Sequence, residues 1–151
     1  MAAKNVVLDT SAVIALLCDE DGADNVESYL TKAKKGSIHL YMSFATISEV
    51  FSSATKKEGR DRAELYVALI KSWSAKWVHS SEELCLSAGA LKAKHKMSFA
   101  DSFIAATAIH YDALLVHKDP EFEPLKGILQ MDKKIARRRK KYGVWAAWNN
   151  C

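Results

Sequence analysis

Short apolar runs that end on a carboxylate or hydroxyl and pass straight into a helical pattern recur along this chain, and that alternation restricts its fold more than any other feature. The first run is Asn5-Val6-Val7-Leu8, followed by Asp9-Thr10-Ser11 and the helix-forming stretch Ala12 to Cys18. Asp9, Thr10 and Ser11 each carry a side-chain oxygen able to cap that helix. Ala23 to Lys34 reads as a second helix stopped by Gly36. Ser37 to Met42 alternates Ile38, Leu40 and Met42 as a strand, and Ser43 to Thr55 returns to helix. Past a break at Gly59, Arg60 to Ser74 places Tyr66, Leu69, Ile70 and Trp73 on one helical face, and Trp77-Val78 is a short strand. Ser81 to Ala93 is a further helix, with a capping box available from Ser80-x-x-Glu83. The alanine-rich helix Ser98 to Tyr111 and the strand Ala113 to His117 follow. A last edge strand is expected at Ile128 to Gln130, with Pro120 and Pro124 holding the connection open before it. Strands alternating with helices predict an α/β fold, a three-layer α/β/α sandwich around a mostly parallel sheet.

A chain of 151 residues is long enough for one domain with a substantial core. The charge is divided unevenly along it. Seven of the 22 Lys and Arg and one of the 18 Asp and Glu fall in residues 131–151, a net of +6, which leaves −2 for residues 1–130. One compact domain over 1–130 and a basic tail over 131–151 are therefore expected. The tail interleaves Arg137, Arg138, Arg139 and four lysines with Tyr142, Trp145 and Trp148. That composition suits a solvated charge run, and equally a grip on single-stranded RNA, whose phosphates and base faces would both find partners.

Cys18, Cys85 and Cys151 are odd in number and widely spaced, so neither a disulfide framework nor a zinc knuckle is expected. A reducing cytoplasm fits this usage. Asp9 interrupts the N-terminal apolar stretch, and no apolar run approaches the roughly 18 residues of a membrane span.

Four acids stand where strands hand over to helices or inside the first halves of helices: Asp9, Glu49, Asp101 and Asp119. In an open parallel sheet the strands' carboxyl ends face one crevice. Acids gathered there must hold protons or a hard cation, because two carboxylates about 4 Å apart repel by roughly 4 kcal/mol at an effective dielectric near 20. Oxygen donors without Cys or His at zinc spacing select Mg²⁺ or Mn²⁺. Each acid also has a plainer reading. Asp9 would be a helix cap, Glu49 a solvated face residue, Asp101 the third residue of a helix capped by Ser98, and Asp119 a turn residue before Pro120. Glu49 has small neighbours at helical spacing, Ala45, Thr46, Ser52 and Ser53, which leave room for a ligand.

Leu8-Asp9-Thr10-Ser11-Ala12, Ser48-Glu49-Val50, Ser98-Phe99-Ala100-Asp101-Ser102 and Lys118-Asp119-Pro120-Glu121-Phe122 occur in an order that resembles the PIN domain, and within it the VapC-type toxin endoribonucleases. The resemblance covers roughly residues 5–130. It implies a magnesium-dependent nuclease that hydrolyses RNA, with Asp9, Glu49, Asp101 and Asp119 as the acidic set. Asp9 and Asp101 would be direct metal ligands, and Glu49 and Asp119 would act through water or a second ion. It also implies a homodimer and a small antitoxin partner that covers the acidic pocket or an apolar cleft near Phe51 and Tyr66. Thr10, Ser11, Ser98 and the tail arginines are the candidate substrate contacts. The last segment departs from the family, which places a hydroxyl where this chain has His117. His117 is read either as a packed strand-end residue or as a phosphate contact. Two other functions fit the same residues: an RNA-processing PIN nuclease without an antitoxin, and a noncatalytic RNA-binding module that works through the tail.

Overall fold

The computed structural model describes residues 3–132, so Arg137, Arg138, Arg139 and the rest of the tail from Lys133 lie outside the described residues. The elements run β1 (Lys4–Leu8), α1 (Thr10–Leu17), α2 (Ala23–Lys34), β2 (Ile38–Ser43), α3 (Phe44–Glu58), α4 (Arg60–Lys71), β3 (Lys76–Val78), α5 (Glu82–Lys94), α6 (Phe99–His110), β4 (Leu114–Val116), a 3-10 turn (Pro120–Leu125) and β5 (Met131–Asp132). The five strands form one sheet in the order β3-β2-β1-β4-β5, and every pairing is parallel.

β1 is the central strand, with Val6 level with Leu40 of β2 on one side and Leu114 of β4 on the other. Its residues alternate between two cores, as the two-residue period of a strand requires. Val6 and Leu8 join α1, α2, α3 and α4 in one apolar cluster, which includes Val13, Val26, Val50 and Ile70. Val7 faces a second cluster made with α5 and α6, including Leu84, Phe103 and Ile104. Both faces are therefore covered, which is why β1 reads as a continuous apolar run rather than an alternating one. The predicted three-layer α/β arrangement is found, and the sheet is wholly parallel.

Helix ends follow local chemistry. Asp9 caps α1 by accepting the Ser11 N–H at 2.9 Å, so that helix begins at Thr10, two residues before the expected Ala12. α3 runs on to Glu58 and stops where Gly59 adopts φ +90°, a conformation that costs glycine little. α4 ends at Lys71, short of the expected Ser74. Ser81 caps α5 through the Leu84 N–H at 3.1 Å, which places Leu84 and not Glu83 at the third position; the capping box expected from Ser80 does not form.

The last connection also differs from expectation. Ile128 and Leu129 both donate backbone N–H groups to the Leu125 carbonyl at 2.9 Å, closing a turn, so the edge strand starts three residues later, at Met131. Pro120 and Pro124 lie in the 3-10 turn, whose Phe122 and Leu125 are fully buried. The segment is packed, not held open. Among the described residues no helix is long and apolar enough to cross a membrane.

Candidate metal centre

The strand order reverses beside β1: the chain moves from β1 outward to β2 and β3, then crosses back to β4 and β5. A crevice opens outside the carboxyl ends of β1 and β4 at such a point. Asp9 follows β1 directly, and its N–H donates to the Val116 carbonyl of β4 at 3.0 Å. The Ser11 hydroxyl accepts the Lys118 N–H at 2.9 Å and donates to Asp9 Oδ2 at 2.5 Å. These bonds tie the two strand ends together and fix one oxygen of Asp9. The other, Oδ1, is buried and has no hydrogen-bond partner among the described residues.

Asp101 enters from the first turn of α6. Ser98 caps that helix through the Asp101 N–H at 3.1 Å. In a reciprocal capping box the acid at the third position would reach back to the cap residue's own N–H. Here that N–H donates instead to Glu121 Oε2 at 3.2 Å. Glu121 has taken that N–H, and the buried Asp101 carboxylate is bonded to Glu121 and to the Ser98 hydroxyl instead. Asp119 accepts the Glu121 N–H at 2.9 Å, which sets the turn that brings Glu121 back. Carboxylate oxygens of Asp101, Asp119 and Glu121 all lie within 4.8 Å of one another.

Pairs of full charges that close repel by about 3 kcal/mol at an effective dielectric near 20. The titration of the group reflects it. Burial, then the hydrogen bond to Glu121, then the charges of Asp9 and Asp119 hold the Asp101 carboxyl well above the usual carboxylate range. The bond from Asp101 holds Glu121 below its own. Asp9 is pushed up to about 6, first by burial and then by Glu49 and Asp119, against the lowering effect of its bonds from Ser11. Glu49, from α3, accepts the Thr10 hydroxyl at 2.6 Å, and Thr10 also contacts Thr46 at 3.0 Å. Glu49 stands apart from the closest trio yet is felt by Asp9.

Of the four expected acids, Asp101 and Asp119 lie in the closest group, Asp9 is near enough to feel Asp119 and Glu49, and Glu49 stands farther off; Thr10, Ser11 and Ser98 bond to Glu49, Asp9 and the Asp101 N–H. Sequence reasoning missed Glu121, although its signal was present: an acid two residues after Asp119, across a proline that bends the chain back. His117 is 2% exposed, lies edge-on to Phe122 at 5.2 Å, and approaches the Asp119 carbonyl with Nδ1 at 3.0 Å. A carbonyl only accepts, so Nδ1 carries the proton and the ring braces the turn that presents Asp119.

The profile of the PIN domain matches residues 6–127, most of the chain. The chain belongs to the PIN domain family. Sequence comparison with curated proteins gives no match. Solved structures share the PIN fold. VapBC2 of Rickettsia felis, bound to a DNA fragment from its promoter, aligns with a TM-score of 0.67 at 17% identity over 85% of this chain and 97% of that one. DNA-bound VapBC of Salmonella typhimurium gives 0.67 at 17% identity over 87% and 98%. VapC20 of Mycobacterium tuberculosis, a toxin that cleaves the sarcin-ricin loop, gives 0.63 at 18% identity over 83% and 97%.

An all-oxygen donor set and the unpartnered Asp9 Oδ1 are what a PIN domain crevice suited to a hard divalent cation would present. Asp101, Asp119 and Glu121, with Asp9 close enough to be raised by Asp119, could hold one.

Proposed function

We propose that this PIN domain is a metal-dependent endoribonuclease that hydrolyses RNA phosphodiester bonds, the toxin of a toxin–antitoxin pair acting in the cytoplasm as a homodimer. The observation that carries the reading is the cluster of Asp101, Asp119 and Glu121 at the topological switch point, with Asp9 close enough for its charge to be felt by Asp101. The likeness of the fold to solved VapBC toxins supports the toxin assignment and the antitoxin partner.

Mg²⁺, or Mn²⁺, would supply a water made acidic enough to attack as hydroxide and would offset the charge of the phosphodiester. The chain's own residues prepare for this in distinct ways. Asp9, Asp101, Asp119 and Glu121 offer the oxygens. Ser11 holds Asp9 rigid through its hydroxyl, and Thr10 orients the Glu49 carboxylate at the crevice edge, where it is suited to accept a proton from water. The cations of the tail would hold RNA phosphates that the acidic crevice alone would repel.

An antitoxin segment would find an apolar notch between α1, α3 and α4, lined by Ile14, Leu17, Val50 and Ala54. Tyr66 forms its floor; its ring is buried and its hydroxyl donates to Glu58 at 3.0 Å.

The deciding experiment is cleavage of defined RNAs with magnesium, with excess EDTA, and by Asp101→Asn. Chelation and the substitution should each slow cleavage by at least about a hundredfold, roughly 3 kcal/mol of transition-state stabilisation. Full activity in EDTA would exclude the mechanism.

A further inference from the structure

Residues 133–141 hold seven Lys and Arg and no acid, while Asp101, Asp119 and Glu121 bring carboxylate oxygens within 4.8 Å of one another. The sheet sets how near the two come. Leu8 pairs with Val116 and Val116 with Asp132, so these residues form one row across β1, β4 and β5. Neighbouring strands stand about 4.8 Å apart, which puts Asp132 roughly 10 Å from Leu8. All pairings are parallel, so the row marks the carboxyl ends of three strands. Asp9 directly follows Leu8, Asp119 comes shortly after Val116, and the basic run starts directly after Asp132. Its point of departure is anchored, because Asp132 accepts a hydrogen bond from the Tyr29 hydroxyl of α2.

The acids at that end suit a fixed cation. Asp9 is 1% exposed, and its Oδ1 is buried without a hydrogen-bond partner among the described residues. Lys118, close to Asp9 through its backbone, pairs its ammonium with Glu20 at 3.3 Å. An arginine guanidinium donates five N–H groups in a rigid fork and accepts none, so it matches clustered oxygens that only accept. Arg137, Arg138 and Arg139 stand in succession in the basic run. Five residues of extended chain from Asp132 to Arg137 reach at most roughly 17 Å, more than the row requires. A segment tethered so closely meets the crevice at an effective concentration on the order of millimolar.

We infer that the acidic crevice is the docking surface for this chain's own segment Arg137 to Arg139, whose guanidinium groups occupy it when metal and RNA are absent. The tail is then a tethered competitor of the divalent ion, and RNA phosphates that draw the arginines away open the centre to it. The competition rests on the metal-dependent reading, whereas the contact itself forms without metal.

The test uses full-length protein without RNA in about 0.1 M salt, with Mn²⁺ binding followed by electron paramagnetic resonance. Arg137→Gln/Arg138→Gln/Arg139→Gln should bind Mn²⁺ at least about tenfold more tightly than wild type, the equivalent of one charge-assisted hydrogen bond. A control of equal net charge, Lys34→Gln/Lys35→Gln/Lys71→Gln, alters exposed lysines where α2 and α4 lead into the opposite ends of β2 and β3, and should bind as wild type does. Arg138→Lys keeps the charge and supplies an amine for carbodiimide. In the metal-free protein that amine should crosslink to Asp119 or Glu121 within one chain, and Mn²⁺ should suppress the product. Equal Mn²⁺ affinity in wild type and the arginine variant, with no crosslink, overturns the inference and leaves the metal centre standing. A control that gains affinity as much as the arginine variant reduces the effect to net charge and overturns it too. Crosslinks found only between two chains also overturn it. An in-chain crosslink with no Mn²⁺ bound by any variant supports the docked tail and removes the metal reading.

Discussion

The crevice at the carboxyl ends of β1 and β4 and the groove along the edge strand β5 treat their acids in opposite ways. The groove, about 720 Å³, is lined by Lys4, Tyr29, Lys126 and Asp132 with Leu114, Leu129 and Met131. It holds one carboxylate among two lysines, and Asp132 accepts a hydrogen bond from the Tyr29 hydroxyl. Burial and that bond push the Tyr29 hydroxyl well above its usual range, so it stays a donor. The crevice has several carboxylates, a buried oxygen of Asp9 with no partner among the described residues, and an Asp101 carboxyl held well above its usual range by burial and its acidic neighbours. An acid matched by donors stabilises a fold. Acids gathered in excess of their donors cost stability, which a bound cation can restore.

The contrast breaks first at Asp9. Asp9→Asn should cut RNA cleavage at least about a hundredfold while leaving the protein folded, because it removes a ligand charge but keeps an oxygen for the Ser11 N–H. Single-turnover cleavage beside a circular dichroism spectrum reads both. Retained cleavage would remove Asp9 from the centre.

Stability should respond in the other direction. The folded-state value of Asp9, about 6, lies above its ordinary 3.8, so between these values the native state binds the extra proton and stability from this group falls as pH rises through them. The loss is complete above about pH 6 and amounts to no more than about 3 kcal/mol. Without metal, Asp9→Asn should therefore be more stable than wild type at pH 7, with the advantage shrinking toward pH 4. Urea titrations across that range measure it, and magnesium should raise the wild-type melting temperature more than that of the variant. A variant that is less stable at every pH would mean that capping of α1 outweighs charge relief.

At the groove, Tyr29→Phe should cost about 1.5 kcal/mol, the low end for a hydrogen bond to a charged group, and leave cleavage untouched. A fall in activity would show that the two regions are coupled. The smallest effect is expected from Lys118→Ala, which removes a surface pair with Glu20 at 3.3 Å; the change should stay within about 0.5 kcal/mol. A larger loss would mean that the Lys118 side chain helps hold the strand ends that its backbone N–H already ties to Ser11.

Apolar runs, helical periods and caps are written in neighbouring residues, so the chain by itself determined the alternation of β1, α1, α2, β2 and α3 and the breaks at Gly36 and Gly59. It also determined that Asp9, Asp101 and Asp119 stand at junctions and Glu49 in the first half of a helix, since strand ends and helix starts are local events. The start of β5 was not legible, because both Ile128 and Leu129 satisfy the Leu125 carbonyl, a preference that depends on Leu125 and Leu129 being buried by the rest of the fold. The same holds for the acids' duties. Nothing between Ser98 and Asp101 reveals that the cap N–H will be taken by a residue 23 positions after Ser98. Only once the crossover has set β4 beside β1 does Glu121 displace Asp101 from the cap, and hydrogen bonds and burial then decide which carboxylate serves a helix and which is left for a cation.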